Sequence, residues 1–107
     1  MYNHIMNTIP NAKILEQAEF LQSQIEEALR QFANETYTRE VKEAIRISID
    51  QILEPICANE EIYAYKVIYD YTADDELHVI VMVAPERNSF KNNYEINITM
   101  YMTNGIN

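Results

Sequence analysis

Leu77-His78-Val79-Ile80-Val81-Met82-Val83-Ala84-Pro85 is the stretch on which the fold turns. Leu77, Val79, Val81 and Val83 share one parity, and Ile80, Met82 and Ala84 the other. Such a run without polar alternation predicts a central strand covered on both faces. Upstream, Ile62–Tyr69 is rich in tyrosine and β-branched residues and predicts a second strand. Tyr63, Tyr65, Val67 and Tyr69 point one way there, and Ile62, Ala64, Lys66 and Ile68 the other. Downstream, Tyr94–Met102 alternates cleanly. Tyr94, Ile96, Ile98, Met100 and Met102 should face a core, with Glu95, Asn97, Thr99 and Tyr101 outward. Asp70–Glu76 suits a hairpin connection, and Pro85–Asn93 a longer polar loop.

Two helices are expected ahead of these strands. Ile14, Ala18, Leu21, Ile25, Ala28, Leu29 and Phe32 step by three and four, which predicts an amphipathic helix from Ala12 to Gln31, capped by Asn11. Phe20 lies off that stripe and is expected to be a partly buried rim residue. After a break at Ala33-Asn34-Glu35-Thr36, a second helix is expected from Tyr37 to Glu54, with Asn34 or Thr36 as its cap. Its apolar face is Val41, Ala44, Ile45, Ile49, Ile52, Leu53 and Ile56, and Ile47 widens it toward a second covered side. Pro55 should close it. The fold class is therefore α+β: two antiparallel amphipathic helices packed on a small, at least partly antiparallel sheet of three or more strands. Residues 1–10 read as an N-terminal arm with weak period-two alternation ending at Pro10, and residues 11–107 as a single domain.

Composition excludes several functions. At 107 residues the chain makes one domain with one modest core. Seventeen acids against eight bases give a net charge of −9, which disfavours nucleic acid and anionic membranes as partners. No apolar run approaches the ~18 residues needed to span a bilayer. The N-terminus shows no basic start followed by an apolar segment, so no secretory signal is read there. The single glycine, Gly105, leaves no glycine-rich phosphate loop, and turns must use Asn, Asp and Pro.

Chemistry-bearing residues are sparse. Cys57 is the only thiol, and His4 and His78 are the only histidines. A nucleophilic triad or a zinc site needs several such groups converging, and no spacing here supports one. Asp70, Asp74, Asp75 and Glu76 cluster at a turn without the alternation or glycine of a calcium loop. No catalytic residue, metal or cofactor is expected, and the protein reads as a non-enzyme. Tyrosine is the unusual residue, with eight in the chain. Its ring buries apolar area while keeping a polar tip, which suits interfaces.

The order of motifs resembles the C-terminal domain of contractile-tail sheath proteins from phages and related injection machines. Phe32, Asn34 and Thr36 stand at a junction of two helices as in that family. Val67 and Asp70 match a strand ending, Val79, Val81, Val83 and Pro85 an alternating strand that ends near proline, and Tyr94, Glu95 and Ile96 an aromatic-Glu-Ile step. The resemblance covers residues 14–102. Ala58-Asn59-Glu60-Glu61 stands where the family usually carries glycines, and the Glu-Pro-Arg signature of the related baseplate sheath initiators is absent.

The resemblance implies a structural virion subunit of a contractile tail, either sheath-like or a sheath-initiator or baseplate component, assembled in the host cytoplasm. Its partners would be copies of itself and other tail proteins: sheath, tube and baseplate. It would be joined to neighbours by strand exchange, with residues 1–9 as the donated arm. The expected interface residues are Tyr2, Ile5, Ile9, Tyr63, Tyr65, Tyr69, Glu95, Asn97 and Tyr101. The competing reading is a small acidic dimerising protein-binding module that is not tail-associated.

Overall fold

Alternation along Tyr94–Tyr101 buries Tyr94, Ile96, Ile98 and Met100, and the residues that bury against them define the architecture. The computed structural model describes residues 2–6, 12–87 and 92–104. In chain order these form β1 (Tyr2–Met6), α1 (Ala12–Leu29) with a 3-10 turn at Arg30–Phe32, β2 (Thr36–Tyr37), α2 (Arg39–Ala58), β3 (Ala64–Tyr71), β4 (Glu76–Ala84), β5 (Tyr94–Tyr101) and β6 (Thr103–Asn104). Asn11, expected as a helix cap, and Ile9 lie outside the described residues.

The main sheet has four strands in the order β1-β5-β4-β3, and every neighbouring pair is antiparallel. One cross-strand row runs Ile5–Ile96–Val81–Val67, and beside it lies Asn3–Ile98–Val79–Tyr69. The helices cover the face that carries these rows. Helix α1 buries Ile14, Ala18, Leu21, Ile25 and Leu29, and α2 buries Ile45, Ile49 and Leu53. Each set repeats at three and four residues, the spacing of one helical stripe. Phe20, 57% exposed, and Ile47, 43% exposed, lie outside the core, so neither helix is covered on a second side at these positions.

The junction between the helices is a built structure and not a simple loop. Thr36–Tyr37 is a short strand paired in parallel with Thr103–Asn104. Asn34 N–H donates to Tyr101 O at 2.9 Å, and Thr103 N–H donates to Glu35 O at 2.9 Å. The cap of α2 is consequently Thr38, whose Oγ1 accepts Val41 N–H at 3.2 Å, and not Asn34 or Thr36. Asn34 instead turns the chain at φ 65°, a left-handed conformation that asparagine tolerates well.

Pro55 does not close α2, which runs one turn further to Ala58. Proline forfeits its own N–H bond, but Ile56 and Cys57 pack against the core and hold that last turn in place. The helix ends in a Schellman arrangement: Glu61 N–H donates to Ile56 O at 3.1 Å and Glu60 N–H to Cys57 O at 3.0 Å. Glu60 takes the left-handed position, φ 62°, that glycine usually fills.

Candidate functional site

The side of the sheet away from the helices carries no helix among the described residues, and although Thr99 is buried there, Ile68, Met82 and Tyr101 are exposed; this is where the structure departs most from expectation. β4 is central, but its second face is open. Val79 and Val81 are fully buried, whereas Met82 is 38% exposed and Ile80 is half-buried. The neighbouring strand β3 contributes Ile68, also 38% exposed, opposite Ile80. Across Ile80 on its other side stands Asn97, and across Met82 stand Lys66 and Glu95. The open face is thus an apolar centre of Ile68, Ile80 and Met82 within a polar border. At one end of it, Ala64, Lys66, Met82, Ala84 and Glu95 line a shallow depression. His78 and Thr99 sit opposite each other on the same face, with His78 Nδ1 3.0 Å from Thr99 Oγ1.

The residues expected at an interface divide between the two faces. Glu95, Asn97 and Tyr101 belong to the open face, and Tyr101 is 59% exposed. Tyr65 and Tyr69 instead turn toward α2, because their parity in β3 is that of Val67 and the core rows. The Tyr65 hydroxyl donates to Asp50 Oδ1 at 3.0 Å. Burial and that hydrogen bond to a carboxylate push its pKa well above the ordinary phenol value. Burial chiefly, with the negative charge of Asp50, pushes the Tyr69 phenol up to about 12. The Tyr69 hydroxyl is buried without a hydrogen-bond partner. Tyr63 precedes β3 and is exposed, with the Arg87 guanidinium 6.0 Å from its ring centroid. Ile5 packs against the protein's own core, and Tyr2 lies opposite Thr99 in β1.

The segment expected as a separate arm contributes Tyr2–Met6 to the domain's own sheet as the strand flanking β5. Asn3 Oδ1 also accepts Thr99 N–H at 3.2 Å. At the opposite side of the sheet β3 is the edge strand. Sequence reasoning missed Ile68, Ile80 and Met82 as surface residues. The unbroken apolar run in β4 was the available signal, but it also describes a strand covered on both sides.

Along the flank of α2, Arg46 pairs with Glu43 and with Asp50, the latter at 2.8 Å. The Arg46 hydrogen bond holds the Glu43 carboxyl below its usual range. Lys42 Nζ lies 5.8 Å from the Tyr69 ring centroid. Among the described residues, no three His, Cys, Asp or Glu side chains gather in a metal-holding group, and no helix is long and apolar enough to cross a membrane. No protein-family model matches the chain, and neither a curated protein nor a solved structure matches it. What the surface offers is therefore two sheet borders and one open apolar face, all suited to contact with other polypeptides.

Proposed function

We propose that this protein is a structural subunit of a contractile tail, sheath-like or a sheath-initiator or baseplate component, that joins its neighbours by exchanging strands. The observation that carries the reading is the position of β1. It is an edge strand held in the sheet by one neighbour, β5, through pairings from Tyr2↔Thr99 to Met6↔Glu95. Every backbone bond it makes to its own β5 is available from the β1 of an adjacent copy, so exchange creates no new interface chemistry. In dilute chains the intramolecular pairing wins through effective concentration, and rising protein concentration, or neighbours held close in an assembly, shifts that balance toward exchange. The order of motifs, which resembles that of sheath C-terminal domains, supports the same reading. On this reading the protein is non-catalytic, takes no cofactor, meets sheath, tube or baseplate proteins, and resides in the virion.

Light scattering after size-exclusion chromatography, over a concentration series, tests the proposal on the full chain and on a chain lacking residues 2–9. Growth beyond a dimer that depends on residues 2–9 is the expected result. An association state indifferent to their removal refutes strand exchange through β1.

A further inference from the structure

We propose that the outer edge of β3 pairs antiparallel with the β3 edge of a second copy, about a twofold axis at Ile68. This interface is separate from exchange of β1, and joins the two four-stranded sheets into one continuous sheet.

The backbone of β3 is free to do so. Thr72 N–H donates to Glu76 O at 2.8 Å at the end of the β3–β4 ladder. Antiparallel ladders alternate, so the even-numbered residues of β3 direct N–H and C=O groups at β4. Those of Tyr65, Val67, Tyr69 and Tyr71 point away from the sheet, and no described strand lies on that side. The strand is eight residues long, without proline or glycine, which is an edge that a protein usually blunts or covers.

The side chains select both partner and register. Lys66, Ile68 and Asp70 lie on the open face of β3, all exposed, and neither charge is ion-paired with another described residue. With the axis at Ile68, Lys66 of each copy stands opposite Asp70 of the other, and the two Ile68 side chains meet between them. On the helix side Val67 meets Tyr69, and Tyr65 meets Tyr71. An axis at Lys66 or Asp70 sets like charges against each other. An axis at Val67 or Tyr69 leaves both charges opposite uncharged residues. Only the Ile68 register makes two opposite-charge cross-strand pairs. The pattern Lys-Val-Ile-Tyr-Asp is thus charge-complementary to its own reverse, which singles out a second copy as the occupant. Above the same edge, the α2 flank carries both signs, Arg39, Lys42 and Arg46 with Glu43 and Asp50.

Sedimentation equilibrium on the wild-type chain, on K66D and on D70K provides the test, with circular dichroism confirming that all three are folded. At dilutions where β1 stays in its own sheet, the wild type should dimerise. Each single variant should associate at least about tenfold more weakly, because both cross-strand pairs become repulsive. An equimolar mixture of K66D and D70K should recover the dimer with one copy of each, since both pairs are again of opposite sign. A monomeric wild type overturns the proposal. So does a K66D variant that associates as tightly as wild type, or a mixture that gains nothing over its components. Association abolished only by removing residues 2–9 assigns self-assembly to β1 and overturns it as well.

Discussion

Replacing Val81 and Met82 in turn by threonine measures directly how many faces of the sheet are covered. The two residues are adjacent in β4, and threonine is a good strand former at both positions. Val81 is fully buried, in the row with Ile5, Ile96 and Val67. Val81→Thr keeps the shape but exchanges a methyl for a hydroxyl. The lost methyl costs about 0.8 kcal/mol. The buried, unpartnered hydroxyl adds about 1–3 kcal/mol. The sum is about 2–4 kcal/mol, a fall in melting temperature on the order of 10 °C or more for a domain of this size. Met82 is already 38% exposed, so a hydroxyl at that position keeps its water. Its partial loss of apolar contact is offset by the β-branched replacement, and Met82→Thr should cost less than about 1 kcal/mol. Urea titrations at unchanged m-value give both numbers. Equal costs above about 2 kcal/mol at the two sites would mean that both faces of β4 are covered, and the open face described above would be wrong.

Other outcomes follow from single contacts. Tyr94 is buried and its hydroxyl donates to Gln17 Oε1 at 2.7 Å, joining β5 to α1; Tyr94→Phe should lower stability by about 1 kcal/mol in the same titration. Thr38→Ala removes the acceptor for Val41 N–H and should also cost about 1 kcal/mol, read by thermal circular dichroism. Glu60→Gly relieves the left-handed turn after α2 and should raise stability by about 0.5–1 kcal/mol, whereas Glu60→Ala should not. Tyr37, Tyr69 and Tyr94 have pKa values raised mainly by burial, Tyr69 to about 12. Unfolded phenols ionise near pH 10, so the stabilisation is complete below that pH and is lost as pH rises through about 12. Denaturant midpoints taken from pH 8 upward should therefore stay level until about pH 10 and then fall, and a flat profile to pH 12 would contradict the burial of these rings.

Much of the fold was legible in the sequence because periodicity reports directly on burial. The three and four spacing of α1 and α2 and the alternation of β5 each named residues that are buried in the structure, among them Leu21, Ile49 and Ile96. Turn chemistry was partly legible. Asn34 and Asp75 take left-handed backbone in a chain nearly without glycine, as asparagine and aspartate do, but Glu60 does so as well. The cap of α2 was displaced from Asn34 and Thr36 to Thr38 because Thr36–Tyr37 is claimed by β6, more than sixty residues away. Local signals around position 36 carry no information about that partner.

The candidate surface was less legible for the same reason. Five tyrosines on the predicted strands suggested aromatic contact surfaces; Tyr63 and Tyr101 are indeed exposed, but Tyr65 and Tyr69 lean under α2 and Tyr94 is buried, while Ile68 and Met82 are exposed on the open face. A sequence period gives the two faces of a strand but not which neighbours cover them. What the sequence alone determined was the two helices, the three long strands β3, β4 and β5, the inward parity of β5, and the charge pattern along β3. Tertiary structure decided that β1 folds back onto β5, that α1 and α2 cover one face only, and that β3 is left as an edge. Those outcomes depend on how all the strands and helices compete for the same apolar area, a long-range competition that no local window of residues contains.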